Sequence, residues 1–239
     1  MKPISQLAHS WNMTPEEARA QQISLQKRVS LTDDFGEIQT IAGVDLSFSS
    51  DGEIGYAVVV VLSFPDFRVL ETRYAAAPVP MPYVPGLLSF RESPIALEAF
   101  AQLETIPNMI FVDGQGQAHP RGFGIACHLG VLLEVPSVGV AKSFLYGQYD
   151  RTQALEPGQF LPLSDKAGTR VIGAVVQTKP RTNPLYISPG HKISVDSATK
   201  LVLECLRGYR LPEPTRQAHN LITAYKKDRK ETSRKETSD

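Results

Sequence analysis

The chain has 239 residues, 42% hydrophobic and 21% charged, with 25 basic and 25 acidic residues and a formal net charge of zero. That length suits one α/β domain with a full core, and the composition excludes a disordered or collagen-like chain. The balance lacks the bulk basic signature of a nucleic-acid binder and counts mildly against tight non-specific DNA binding without excluding it, because a basic face opposite an acidic site would disappear in the sum.

Met1 to Gln22 holds no unbroken apolar run and no small-residue cleavage site, so no secretory signal is expected. Thr14-Pro15-Glu16-Glu17 predicts a helix start: a threonine cap, proline at the first helical position, then acids at the positive end of the dipole, with the helix running to about Val29. Gln39–Phe48 is predicted as a strand containing Val44-Asp45-Leu46. Asp51-Gly52 signals a hairpin into a second strand, Ile54–Ser63, and Pro65-Asp66 a turn into a third, Arg68–Ala77. The valine-rich run Tyr56–Leu62 is too short to cross a bilayer, so no membrane partner is expected.

Four prolines between Ala75 and Pro85 predict a loop. Pro94–Thr105 has helical spacing, Met109–Val112 is a short buried strand, Gly122–Glu134 a helix, and Ser137–Val140 and Arg170–Gln177 are strands. Ser194–Arg207 and Pro214–Lys227 complete the helices. A meander followed by alternating helices and strands predicts an α/β domain with a mixed sheet. Residues 1–225 are therefore read as one domain. Residues 226–239, charged and nearly free of apolar side chains, are read as a disordered, solvated tail. Cys127 and Cys205 stand alone, which argues against a disulfide or zinc scaffold and for a cytoplasmic location.

Three acids stand out by position. Asp45 interrupts an apolar strand, Asp113 follows another and opens a glycine-punctuated loop, and Glu92 is placed at a loop-to-helix junction. Ligands of open α/β sheets gather at the carboxyl ends of strands, and carboxylates meeting there repel unless a hard cation neutralises them. Such oxygen ligands suit Mg²⁺, with Mn²⁺ as a substitute, and a site of this kind can activate water for phosphodiester hydrolysis. Each acid taken alone equally suits a strand end or a helix cap.

The segment Pro82-Tyr83-Val84-Pro85 would stiffen an exposed turn and hold an aromatic ring at its tip, the form of a wedge into a base stack; a ring that merely covers core is the alternative. Gly114, Gly116 and Gly124 would let backbone approach a ligand, with His119 and Arg121 as available donors. Lys142, just past a short strand, is suited to a phosphate. His191 is read at the start of the helix carrying Asp196, and His219 on a late helix is either metal-facing or solvent-facing.

At these residues the chain resembles endonuclease V, the deoxyinosine-directed repair nuclease with an RNase H-like fold. The matching stretches include Ala42-Gly43-Val44-Asp45, the run from Pro82-Tyr83-Val84-Pro85-Gly86 to Phe90-Arg91-Glu92, and Val112-Asp113-Gly114-Gln115-Gly116. They continue through His119-Pro120-Arg121-Gly122-Phe123-Gly124, Gly139-Val140-Ala141-Lys142-Ser143, Gly190-His191-Lys192-Ile193-Ser194 and Leu211-Pro212-Glu213-Pro214-Thr215-Arg216. The resemblance implies an RNase H-like mixed sheet, an antiparallel meander plus parallel strands, flanked by helices. It implies that Asp45, Glu92 and Asp113 bind metal and act in catalysis, with Lys142 near the phosphate and His219, a variable position, beside them. It further implies that Tyr83 is the wedge and that Gly114, Gly116, Gly124 and Gly139 line a hypoxanthine pocket. Val84 stands where many members have isoleucine, a conservative change.

The implied reaction is Mg²⁺-dependent hydrolysis of the second phosphodiester bond 3′ to deoxyinosine in DNA, with inosine RNA as a further candidate partner and a monomer expected. Two other readings share parts of the pattern: an RNase H-type nuclease of hybrids or junctions, and a damaged-base binding protein that does not cut. The wedge argues against the first and the full set of acids against the second.

Overall fold

A computed structural model describes residues 9–236, and side chains through residue 229. The first helix, α1 (Pro15–Gln26), starts as its sequence dictates: the Thr14 hydroxyl accepts from Glu17 N at 3.3 Å and Glu17 Oε2 accepts from Thr14 N at 2.7 Å. In chain order there follow β1 (Thr40–Phe48), β2 (Ile54–Ser63), β3 (Val69–Pro78), α2 (Leu88–Ala101), β4 (Met109–Val112), α3 (Ile125–Leu133), β5 (Ser137–Ala141), β6 (Phe160–Ser164), β7 (Val171–Val176), β8 (Leu185–His191), α4 (Val195–Glu204) and α5 (Glu213–Glu236).

The eight strands form one sheet in the order β3-β2-β1-β4-β5-β8-β7-β6. The β1–β2–β3 meander is antiparallel, β1–β4–β5 are parallel, and β8, β7 and β6 add antiparallel. The valine run of β2 is explained by cover on both faces. Val58, Val60 and Leu62 join Ala198, Val202, Ala218 and Ile222 of α4 and α5, while Ala57, Val59 and Val61 join Ile95, Ala99 and Leu129 of α2 and α3. Among the described residues no helix is long and apolar enough to cross a membrane.

The mixed α/β sheet expected from the sequence is present, with four differences. Strands β6 and β8 were not predicted. Pro162 lies in β6 at the sheet edge, where a missing N–H costs no ladder bond, and Pro189-Gly190 lies in β8 where the register with β5 shifts between Ser137 and Val138. Both sequences imitate turns. His191 consequently ends β8 instead of starting a helix, and Ser194 is the cap of α4. The second helix begins at Leu88, so Pro94 lies inside it and Glu92 stands on a helical turn, not at its junction. The charged stretch from Lys226 continues α5 to Glu236, where a disordered tail was expected; Lys, Arg and Glu are strong helix formers and neither Gly nor Pro interrupts them. Residues 237–239 lie outside the described residues.

Candidate metal centre and cleft

The site is built where α5 crosses the sheet. Gly43 in β1 is required there, because a Cβ would overlap the carbonyl of Pro214 at the start of α5. This close approach sets His219, five residues further along α5, against Asp45, two residues further along β1. Their separation is 2.9 Å, His219 Nδ1 to Asp45 Oδ2. Asp113 follows β4, the parallel neighbour of β1, and its N–H donates to Val44 O at 3.0 Å. Asp45, Asp113 and His219 each offer one ligand atom within 4.8 Å of the others, the one such grouping of acids, histidines or cysteines among the described residues.

Lys142, just past the end of β5, closes the cluster. Its Nζ pairs with Asp113 Oδ2 and lies 3.2 Å from His219 Nδ1. One ring nitrogen cannot accept from the ammonium and donate to Asp45 at the same time, so the proton on His219 arbitrates between them. Burial, and then the neighbouring Asp113, raise the Asp45 carboxyl above its ordinary value, with His219 and Lys142 opposing. Glu92 on α2 faces the same cleft, and burial together with Asp45 and Asp113 pushes it up to about 8. Three carboxylates sharing one ammonium are a donor set short of positive charge, which a divalent cation would supply.

The cluster lies in a cleft of about 550 Å³. Asp45, Tyr83, Glu92, Asp113, Gly114, His119, Gly124, Lys142 and His219, all singled out in the sequence, line it. Pro82, Val84, Pro85, Gly116 and Gly139 do not. Gly139 and Gly116 sit behind the wall: a Cβ on Gly139 would strike the backbone of Gly114 to Gly116, and one on Gly116 would strike that of Ser188 and Pro189. They allow the loop after Asp113 to lie flat on the sheet. His119 is buried and held neutral, its value lowered to about 4 by burial and by Arg121.

Tyr83 is 63% exposed at the cleft rim, so it is not core cover. Its loop is anchored from below by Met81 and Val84, which pack with Ala18, Leu87 and Phe90. It turns at Gly86 (φ +78°), whose carbonyl accepts from Arg121 Nη2 at 2.6 Å and Gln22 Nε2 at 3.1 Å. Arg121 also donates to Gln22 Oε1, and Gln22, fully buried in α1, reaches Phe123 O at 2.8 Å. Arg121 therefore holds the loop and is not a free donor. His191 is buried away from the cleft, its Nδ1 accepting from Ser30 N at 3.2 Å.

Sequence reasoning missed Leu46, Leu88, Ile125, Phe144 and Leu145 on the cleft wall. Phe144 and Leu145 directly follow Lys142-Ser143, and adjacency to a candidate phosphate ligand was the signal available.

The family model for endonuclease V matches residues 23–220. An endonuclease V from Gloeobacter violaceus is 46% identical over 235 residues, covering 97% of this chain and 95% of its own. The crystal structure of endonuclease V from Streptomyces avermitilis superposes with a TM-score of 0.85 at 37% identity, covering 92% of this chain and 96% of that one. A Ciona intestinalis endonuclease V, solved in complex with a 23mer DNA containing an inosine followed by a ribo-adenosine, has a TM-score of 0.78 at 28% identity, covering 90% and 99%. The sheet is thus the RNase H-like mixed sheet of these structures.

Proposed function

The chain belongs to the endonuclease V family, and we propose that it is a DNA-repair endonuclease that recognises deoxyinosine and hydrolyses the second phosphodiester bond on its 3′ side. The observation that carries this reading is the grouping of Asp45, Asp113 and His219, with Glu92 and Lys142 beside them, in a cleft whose rim bears an exposed tyrosine.

Asp45 and Asp113 would hold Mg²⁺, with Mn²⁺ as a substitute, and Glu92 or His219 would complete the set; oxygen-dominated donors suit these ions. When bound, the cation supplies a lowered pKa for water and charge neutralisation at the phosphate. Lys142 balances Asp113 and has further N–H donors for a phosphate oxygen. Glu92, facing the same cleft from α2, would complete that set or orient the attacking water. His219 Nδ1, 2.9 Å from Asp45 Oδ2, fixes which way Asp45 presents its other oxygen.

Tyr83 stacks into the gap that opens when the base swings out, and the base enters the pocket between Gly114 and Gly124. Hypoxanthine carries a carbonyl where adenine carries an amino group, so backbone donors along that wall accept one and leave the other unmatched. The partner is DNA containing deoxyinosine, as in the Ciona complex; inosine RNA has the same base and is a second substrate candidate. The enzyme acts as a monomer in the cytoplasm, built as one domain whose last helix, α5, continues past residue 225.

End-labelled duplexes containing deoxyinosine or adenine, incubated with Mg²⁺, Mn²⁺ or chelator, test the reading. Nicking of the inosine duplex alone, one nucleotide beyond the lesion's own 3′ phosphate and only with metal, is the expected result. Binding without nicking under every metal condition would overturn it.

A further inference from the structure

The chain leaves the metal cluster at Lys142 and runs as a loop to residue 151. At the β8-β7-β6 end of the sheet, Leu163, Ile172, Val175 and Tyr186 are packed against Phe144, Tyr146 and Tyr149 of this loop, and no helical residue joins them. The root of the loop is pinned to the cleft: Ser143 O accepts from Gln115 Nε2 at 3.0 Å, and Lys142 O from Arg210 Nη2 at 2.9 Å. Its far end is pinned to the sheet. Gln148 and Ser164 exchange two backbone bonds, and the Tyr149 and Tyr186 hydroxyls lie 3.3 Å apart. The loop therefore carries its side chains on a fixed backbone.

Arg151 stands at its end, exposed. Its guanidinium lies 5.0 Å from the ring centre of Phe144, a residue of the cleft wall, and 5.2 Å from that of Tyr149. Of the described arginines, only Arg151, Arg170 and Arg181 make neither a side-chain hydrogen bond nor an ion pair, and of these only Arg151 rests on rings. Two rings steady the guanidinium while its N–H groups stay open. That arrangement lets an arginine grip a phosphate with two parallel bonds at little cost in side-chain entropy. Lys166 stands over Tyr146 of the same loop at 5.4 Å. The acids next to these two cations in sequence are taken up by their own turns. Asp150 accepts from Thr152 N and Gln153 Nε2, and Asp165 from Thr169 N and Oγ1. The stretch from Lys142 to Pro184 holds six basic and three acidic residues in a chain that is neutral overall, so the cation is not outweighed locally.

We infer that Arg151 is a phosphate clamp for the substrate strand as it leaves the cleft past Lys142. The inference rests on the nuclease reading above. A nucleic acid seated in the cleft presents a row of phosphates along its exit, so the polyanion that meets this guanidinium is the substrate itself. A phosphate contact reads no base; it fixes the register of the strand and adds affinity on every sequence.

A neutral-phosphate scan tests the clamp. Deoxyinosine duplexes carrying one methylphosphonate at a time, at successive phosphates on either side of the cut, are bound in chelator by the unaltered chain and by R151Q, with fluorescence anisotropy as the readout. At one or two phosphates the unaltered chain should lose about tenfold in affinity, the worth of a charged hydrogen-bonded contact. R151Q should bind the all-phosphate duplex about tenfold more weakly and lose nothing further at those same positions. Its slope of log K against log salt should be smaller by about one. If the unaltered chain nicks inosine duplex, but R151Q binds as tightly as the unaltered chain or loses the same factor at every neutral phosphate, the clamp is overturned and the nuclease reading stands. If the unaltered chain neither binds nor nicks inosine duplex, both fall together.

Discussion

Asp45 stands on β1 and Asp113 directly after its parallel neighbour β4, joined backbone to backbone, Asp113 N to Val44 O at 3.0 Å. Tyr83 stands outside the sheet on a loop held chiefly by the side chains of Gln22 and Arg121 at one carbonyl. The floor of the cleft is therefore positioned by elements that cannot shift without breaking the core, and its rim by polar bonds from Gln22 of α1 and from Arg121 over the packing of Met81 and Val84. Hydrolysis needs charges fixed to within a fraction of an ångström, whereas a wedge must enter and leave a base stack. The difference predicts that substitutions at the floor act on rate and those at the rim on discrimination.

The largest effect is expected at the floor. Asp45→Asn keeps the shape but removes a charge from the cluster, and should slow single-turnover nicking about 10³-fold or more, ~4 kcal/mol of transition-state stabilisation. Binding to inosine duplex should stay within a few-fold. A variant that nicks at the full rate would show that Asp45 holds no metal.

Next is the cost of assembling the acids. Glu92 titrates near 8 in the folded, metal-free protein against an ordinary carboxylate value when unfolded. A folded value raised in this way gives a contribution that is complete below the unfolded value and lost as pH rises toward about 8. In chelator, stability should therefore fall between about pH 5 and 8. Glu92→Gln should flatten that fall and be the more stable protein at pH 8 by about 2–4 kcal/mol, measured by denaturant unfolding at each pH. The slope that remains should have the same sign, because Asp45 is also raised. Parallel curves for the two proteins would mean Glu92 is already ionised and solvated.

The floor was legible in the sequence and much of the rim was not. Asp45 and Asp113 betray themselves by breaking apolar strands, and strand order alone brings their loops together. Glu92 was identified but misplaced, because Pro94 looks like a helix start and instead lies within α2. His219 could be read either way until the approach of Pro214 to Gly43 fixed where α5 crosses β1. Strand β8 was hidden by Pro189-Gly190, a bulge that spells a turn. The clamp of Gln22 on Arg121 joins residues 99 apart with no local pattern to announce it; such tertiary pairs are invisible to periodicity.

At the rim, Tyr83→Ala should leave the maximal nicking rate intact and reduce the preference for inosine over normal duplex by ~1–3 kcal/mol, the value of one stacked ring. Competition binding reads this directly, and an unchanged preference would reduce Tyr83 to a surface residue. The last effect is the most diagnostic of how the rim is held. Arg121→Met keeps the apolar stem but loses both side-chain bonds, to Gly86 O, 2.6 Å in the native loop, and to Gln22 Oε1. The loop keeps Gln22 Nε2 on the same carbonyl and Met81 beneath it, so the loss should be about 1–3 kcal/mol, that of two hydrogen bonds. It should appear as weaker nicking of inosine in duplex, where Tyr83 must open the stack. Nicking of inosine in single-stranded DNA, where the base is already free, should be unaffected. Equal losses on both substrates would mean that Arg121 supports the pocket as a whole, through its neighbour His119, and that the wedge is positioned by packing alone.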